Sequence, residues 1–273
     1  MMESTRNSLA YFDNHWPTNK GAWFPGEAVR YREMSLFDDF RDKSWMDLLI
    51  YGIRGTMPQP EVSRLMEQIW IICTSYPDPR LWNNRVAALA GTTRSTGALA
   101  LGVATAVSEA SIYGRRPDII GCEFLISTCD QVAAGGELDV IVMEYLKKHR
   151  SIPGFGRPII SRDERIEPLL AVARELELDR GDHLALVKRI EDVLDRKRMR
   201  MKANISSYCA ALLADLGFSP REFYNTVLLS FTGGIMPCYL DAVEKPEGVF
   251  FPLSCSKIQY QGAGIRRLEN VKK

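Results

Sequence analysis

Apolar residues recur along most of this chain at spacings of three and four, and that beat limits what it can fold into more than any other feature. In "PEVSRLMEQIWIIC" it puts Val62, Leu65, Met66, Ile69 and Cys73 on one face, with Pro60 suited to a first helical position, where an N–H is not needed. In "DHLALVKRIEDVLDRKR" the same beat aligns Leu186, Val187, Ile190, Val193 and Leu194. "NISSYCAALLADLGF" groups Ile205, Cys209, Leu212, Leu213 and Leu216, with Gly217 as a natural C-terminal stop. "SPRE" reads as a capping box, Ser219 at the N-cap and Glu222 three residues on. Convincing strands are missing, and only short runs such as "GVFFPL" are candidates for extended chain. The predicted fold is mainly α.

One predicted helix is unusual. "GTTRSTGALALGVATAVSEASIYG" is dense in Ala, Gly, Ser and Thr, and small residues let helix backbones approach closely. It predicts a central helix packed on several sides, the other reading being a helix at a subunit interface. The stretch 115–160 changes character, with "GRRPDIIG", "AAGGE" and "PGFG"; such Gly/Pro punctuation suits hinges between a large and a small domain.

The charge balance, 35 basic against 34 acidic residues in 273, gives a net +1 and argues against a nucleic-acid partner. "GALALGVATAV", 97–107, is shorter than the ~20 residues of a membrane span, so no membrane partner is expected. The N-terminal "MMESTRNSLAYFDNHWP" lacks the pattern of a secretory signal. Six cysteines without a CxxC read as reduced thiols in a cytoplasmic protein. With only three scattered histidines, His15, His149 and His183, no metal site is expected.

Five ordered pieces carry a family resemblance. "LLIYGIRGTMPQPEVSRLM", "RVAALAGTTRSTGALALGVATAVSEASIYG", "IPGFGRPIISRDERI", "NISSYCAALLADLGF" and "FTGGIMPCYLDAVEKPEGVFFP…YQG" resemble, in sequence order from about 45 to 262, segments of the citrate synthase superfamily, especially its short citryl-CoA lyase-like members. The resemblance implies an all-α homodimer with a large and a small domain and an active site in the cleft between them. The expected division is a large domain of 1–117 with 222–273 and a small domain of 118–221. It also implies acyl-CoA chemistry, in which a base removes the weakly acidic proton alpha to a thioester and preorganised donors hold the enolate.

Carried over position by position, the family's catalytic side chains are replaced. Its first histidine falls near Pro117, with Arg116 and Asp118 one residue to either side; its second is Arg157; its aspartate base, in the "NVD" motif, is Ser206, after Asn204 and Ile205. An arginine for substrate carboxylate aligns with Phe231, a histidine with Cys238 and a late arginine with Phe251, whereas the arginine of "DPR" persists as Arg165. Asp241 stands where the family has a glutamate. A serine has no useful basicity near neutral pH without a base of its own. Two phenylalanines in place of arginines remove carboxylate partners and add apolar surface, so the substrate is expected to be other than oxaloacetate or citrate.

The candidate catalytic residues are therefore Arg157, Ser206, Arg165, Asp118 and Tyr113, the last two as a replacement base and acid. Pro153, Gly154, Phe155 and Gly156, whose backbone the family lays against CoA, are the expected cofactor platform with Arg162, Lys202 and Asn204. Phe231, Cys238 and Phe251 are the expected substrate pocket. For Arg157 an ion pair with Asp163 or Glu164 is the structural alternative; for Ser206 and Ser207, capping of a helix start; for the cations of "RKRMRMK", complementing a helix C-terminus. Cys238 as a nucleophile is the least expected, since free thiols are usually buried and inert. The function expected is C–C bond formation or cleavage on a CoA thioester, of Claisen or retro-Claisen type, plausibly in specialised metabolism. The alternatives are a silent paralogue that binds acyl-CoA or partners an active subunit, and a different reaction (hydrolysis, isomerisation or cyclisation) in the same cleft.

Overall fold

In the computed structural model, residues 9–13, 15–111, 114–157, 163–249 and 255–264 are described, and helices dominate them. In chain order these are α1 (Trp45–Arg54), α2 (Pro60–Ile72), α3 (Trp82–Thr92), α4 (Gly97–Val107), α5 (Arg116–Ala133) and α6 (Leu138–His149). They continue with α7 (Ile166–Glu175), α8 (Asp182–Arg196), α9 (Ile205–Asp215), α10 (Pro220–Val227) and α11 (Thr232–Val243). The termini follow from local chemistry. Pro60 opens α2, and Ser219 with Glu222 closes the capping box of α10. A second box, Ser44 with Asp47, opens α1.

The main core is built by α1, α2 and α5 to α10. α9 is its axis, packed by α5, α8 and α10. Cys209, Leu212 and Leu213 are buried along with Ala210, Ala211 and Ala214, so the helix is covered on all sides rather than along one stripe. The five apolar residues aligned on α8 are all buried. Leu65, Met66, Phe223 and Val227 join the same buried cluster as Leu125 and Leu212, so this core is continuous across 117/118 and 221/222. A second, smaller core forms where α3, α4 and α11 meet, with Ala87, Ala104 and Ile235 fully buried. There α3 and α11 approach so closely that a Cβ on Gly91 would lie 2.5 Å from the Tyr239 carbonyl oxygen.

Two expectations are corrected. A three-stranded antiparallel meander precedes the helices: β1 (Gly21–Phe24), β2 (Ala28–Tyr31) and β3 (Met34–Ser35), in order β1-β2-β3. Its strands are too short to show an alternation, and "PGE" between the first two is the turn signal that could have found it. The small-residue helix α4 is not packed on several sides. Only Ala100 and Ala104 are buried, while Ala98, Leu99, Gly102, Val103, Ala106 and Val107 form an exposed apolar stripe.

The segment Pro220–Val243 is long and apolar enough for a membrane span, yet here it is α10, a 3-10 turn (Leu228–Phe231) and α11 in succession. Of "GVFFPL", only Gly248 and Val249 are among the described residues.

Candidate active site

The N-termini of α5 and α9 converge on one buried polar network. Asn204 caps α9, its side-chain oxygen accepting the Ser206 N–H at 3.0 Å. Its amide donates to the Gly156 carbonyl at 3.1 Å, and its backbone N–H donates to Gly154 O at 2.9 Å. The "PGFG" turn is thereby stitched to 202–204, with Phe155 and Ala203 paired as an antiparallel bridge and the Gly156 N–H on Lys202 O. Gly154 is required twice over: its φ is +88°, and a Cβ there would meet Ser207 Cβ at 3.0 Å.

With the cap made by Asn204, the Ser206 hydroxyl is released for another use. It donates to Asp118 Oδ1 at 2.6 Å, from the first turn of α9 to the first turn of α5. Asp118 Oδ2 accepts from Arg115 Nη1 at 2.9 Å, and the other Arg115 amino group donates to the Ser230 hydroxyl. This guanidinium lies over the Phe231 ring, 4.0 Å from ring centroid to Cζ, a cation–π contact. Arg115 and Asp118 are 7% and 6% exposed, so each needs the other to offset its desolvation. Among the described residues Arg115 Nε has no hydrogen-bond partner. Nearby, the Tyr224 hydroxyl donates to Glu109; burial, reinforced by Glu109 and Asp118, pushes that phenol up to about 12.

A second network lies at the start of α7. Arg165 grips Asp163 through two parallel bonds of 2.9 and 2.8 Å, and the Ile205 N–H of α9 donates to the same carboxylate at 2.9 Å. Burial raises the Asp163 carboxyl, but the Arg165 guanidinium and the two backbone donors outweigh it and hold the group at about 2. Arg157 joins here, 2.7 Å from Glu164 and 3.5 Å from Asp163. The ion-pair reading of Arg157 is therefore formed in this structure.

Of the expected site residues, the structure brings Asp118 and Ser206 into direct contact with one another, sets Phe231 one step away through Arg115, and joins Asn204, Gly154 and Gly156 directly. Arg157 and Arg165 share Asp163. Lys202 pairs with Asp195, and Arg196 with Asp139, beside the C-terminal turn of α8. Cys238 is buried in α11, its thiol raised by burial and by Asp241 and Asp78. Tyr113, Arg162 and Phe251 lie outside the described residues. Sequence reasoning missed Arg115, Ser230 and the hub role of Asp163. The run "GRRPD", two arginines one turn ahead of an aspartate at a helix start, was the available signal for Arg115.

A cleft of about 450 Å³ lies elsewhere, between α5 and α6, lined by Glu123, Phe124, Glu144, Tyr145, Lys148 and His149 among others. It shares no lining residue with either network. Among the described residues no group of three or more His, Cys, Asp or Glu could hold a metal ion.

Comparisons place this architecture. Over 93% of the chain it superposes on 97% of the citryl-CoA lyase from Hydrogenobacter thermophilus, with a TM-score of 0.80 at 19% identity. The ATP citrate lyase of Methanosaeta concilii, solved as a D541A mutant with (3S)-citryl-CoA, gives 0.73 at 17% identity over 96% of this chain and 44% of that one. The citrate synthase of Thermotoga maritima gives 0.63 at 18% identity, over 84% of this chain and 61% of that one. A comparison with curated proteins found no match. Residues 26–242 match the family described as citrate synthase, C-terminal domain, which is most of the chain; the protein belongs to the citrate synthase family.

Proposed function

We propose that this protein binds a CoA thioester against the "PGFG" turn and makes or breaks a C–C bond alpha to the thioester, on a substrate other than oxaloacetate or citrate. One observation carries the reading: the Asp118 carboxylate is bonded at 2.6 Å to Ser206, the position where the resemblance expects an aspartate base. The carboxylate the chemistry needs is present, contributed by α5 instead of α9. Asp118 takes the α-proton, Ser206 and Arg115 orient it, and Arg157 with Arg165 supplies positive charge for an enolate or a substrate carboxylate. Phe231 contributes apolar surface, and Lys202 and Arg162 are the cations proposed for the CoA phosphates, Lys202 exchanging Asp195 for phosphate. In the same reading the exposed stripe of α4 packs on a second copy of the chain.

The decisive experiment is exchange of the α-protons of bound acyl-CoAs in deuterium oxide. Exchange is expected in the wild type, with Asp118→Asn slower by about 10²–10⁴-fold, the usual size of a general-base effect. No exchange across a panel of thioesters sinks the Claisen reading. A specific observation keeps a second reading open: both Asp118 oxygens are already engaged, by Ser206 and Arg115. A silent paralogue that binds acyl-CoA would show stabilisation by CoA in a thermal titration with no exchange.

A further inference from the structure

Cys73 and Cys209 lie 136 residues apart in sequence, yet their sulfur atoms are 3.6 Å from one another. Cys73 is the C-cap residue of α2, and Cys209 sits on the first turns of α9, three residues after Ser206. Both are at least 96% buried, in a mainly aliphatic and aromatic cluster that also holds Cys122. Two thiols in such a core are small, weakly polar fillers, for which alanine or valine would serve as well. Three features set this pair apart from the other described cysteines. The sulfurs touch, the pair joins the end of α2 to α9, and two guanidiniums, those of Arg115 and Arg165, bear on its ionisation. The hydrogen bond from Cys209, with those two cations, favours the Cys73 thiolate against the cost of burial and the Asp118 charge. Cys122, Cys129 and Cys238 are shifted the other way by burial.

We propose that Cys73 and Cys209 are a redox-active dithiol that closes to a disulfide when hydrogen peroxide reaches it, tying the end of α2 to the start of α9. The Cys73 thiolate attacks one peroxide oxygen, the O–O bond breaks, and water leaves to give a sulfenic acid at Cys73. The Cys209 sulfur attacks that sulfur, the S–O bond breaks, and a second water leaves with the remaining protons. Two electrons pass from the sulfurs to the peroxide, and one S–S bond forms. The sulfurs must close from 3.6 Å to the ~2.05 Å of a disulfide. The bond would sit one helical turn behind Ser206, so oxidation acts on the very end of α9 that holds the Asp118 contact.

The test is treatment of the folded wild-type protein with hydrogen peroxide, followed by intact mass and non-reducing peptide mapping. The expected result is loss of two hydrogens, a single linked peptide pair containing Cys73 and Cys209, and reversal by dithiothreitol. Closing so long a loop is also expected to raise the thermal midpoint by roughly 10 °C. Cys73→Ala and Cys209→Ala should each abolish both changes. The wild-type map needs no variant to fold and decides the matter by itself. A disulfide mapped to other cysteines, linkage seen only after denaturation, or sulfinic acid at Cys73 without linkage overturns the proposal.

Discussion

The two cores of this molecule differ in how far they complete themselves. The main core surrounds α9 with helices on every side, and its large apolar side chains are shielded within one chain. The second core, among α3, α4 and α11, fully buries only Ala87, Ala104 and Ile235. It leaves Leu99, Val103, Val107 and Leu240 between 37% and 57% exposed on its outer side. An exposed apolar stripe of this kind is the surface that interaction sites use. The candidate site joins the two regions: Arg115 pairs with Asp118 beside the main core and rests on Phe231, which packs into the second. One side of the site's scaffold is thus closed within the chain, while the other carries an apolar face open to solvent.

The comparison predicts unequal costs for similar truncations. Leu212→Ala, at a fully buried position held on all sides, is expected to cost about 3–5 kcal/mol, because surrounding helices cannot collapse into the hole. Ile235→Ala, equally buried but in the small core, should cost about 2 kcal/mol, since fewer neighbours hold the cavity open. Urea unfolding of both variants measures this. Equal losses would mean that the second core is as rigidly braced as the first, and the comparison fails.

The same contrast explains what was readable in the sequence. The α8 stripe and the caps at Pro60, Ser219 and Gly217 are set by local rules, period and hydrogen-bond geometry, so they were legible. The burial of α4 was not: its Ala, Gly and Val pattern is equally apolar whether a neighbour belongs to the same chain or to another, and packing on several sides was the wrong choice for this chain. Asp118 is legible as a replacement base because it stands beside the position of a missing histidine. That Ser206 would bond to it could not be read, since the pair spans 88 residues and depends on Asn204 taking over the cap. Arg115 was passed over because an arginine in a basic run looks like a solvated one until a fold buries it.

Acid should act on the main core through Asp163. Its folded carboxyl titrates at about 2, below its ordinary value of 3.8, so its contribution is complete above pH ~4 and is lost as pH falls through 2. That shift corresponds to about 2–3 kcal/mol for a side chain with no solvent exposure. Between pH 4 and pH 2 the stability of the wild type should fall more steeply than that of Asp163→Asn, by about 2 kcal/mol, with the remainder lost below pH 2. Parallel pH curves for the two proteins would show that Arg165 and the Ile205 N–H do not hold this charge.

Gly91→Ala probes the seam that closes the second core. The added methyl would meet the Tyr239 oxygen at 2.5 Å and Ala242 Cβ at 2.9 Å, so α3 and α11 must separate. Offset by the better helix propensity of alanine, a net loss of about 1–2 kcal/mol is expected, read as a lower urea midpoint at unchanged slope. A stabilised variant would mean that the seam is loose enough to yield.

Gly102→Ala carries the smallest expected effect on the single chain and sharpens the comparison most. A Cβ at Gly102 meets nothing within 4 Å, so within one chain the change adds only helix propensity, a gain of up to about 1 kcal/mol. Nothing in the packing of the described residues asks for glycine there. If the stripe of α4 packs on a second copy, helix against helix with small residues in the seam, the methyl pushes the two backbones apart. The variant should then dissociate at concentrations where the wild type remains a dimer, while its dilute monomer is as stable or slightly more so. Sedimentation velocity over a concentration series separates the two effects. An unchanged dimer would place the partner surface elsewhere, and a monomeric wild type would leave the second core to be completed by some other protein or by none.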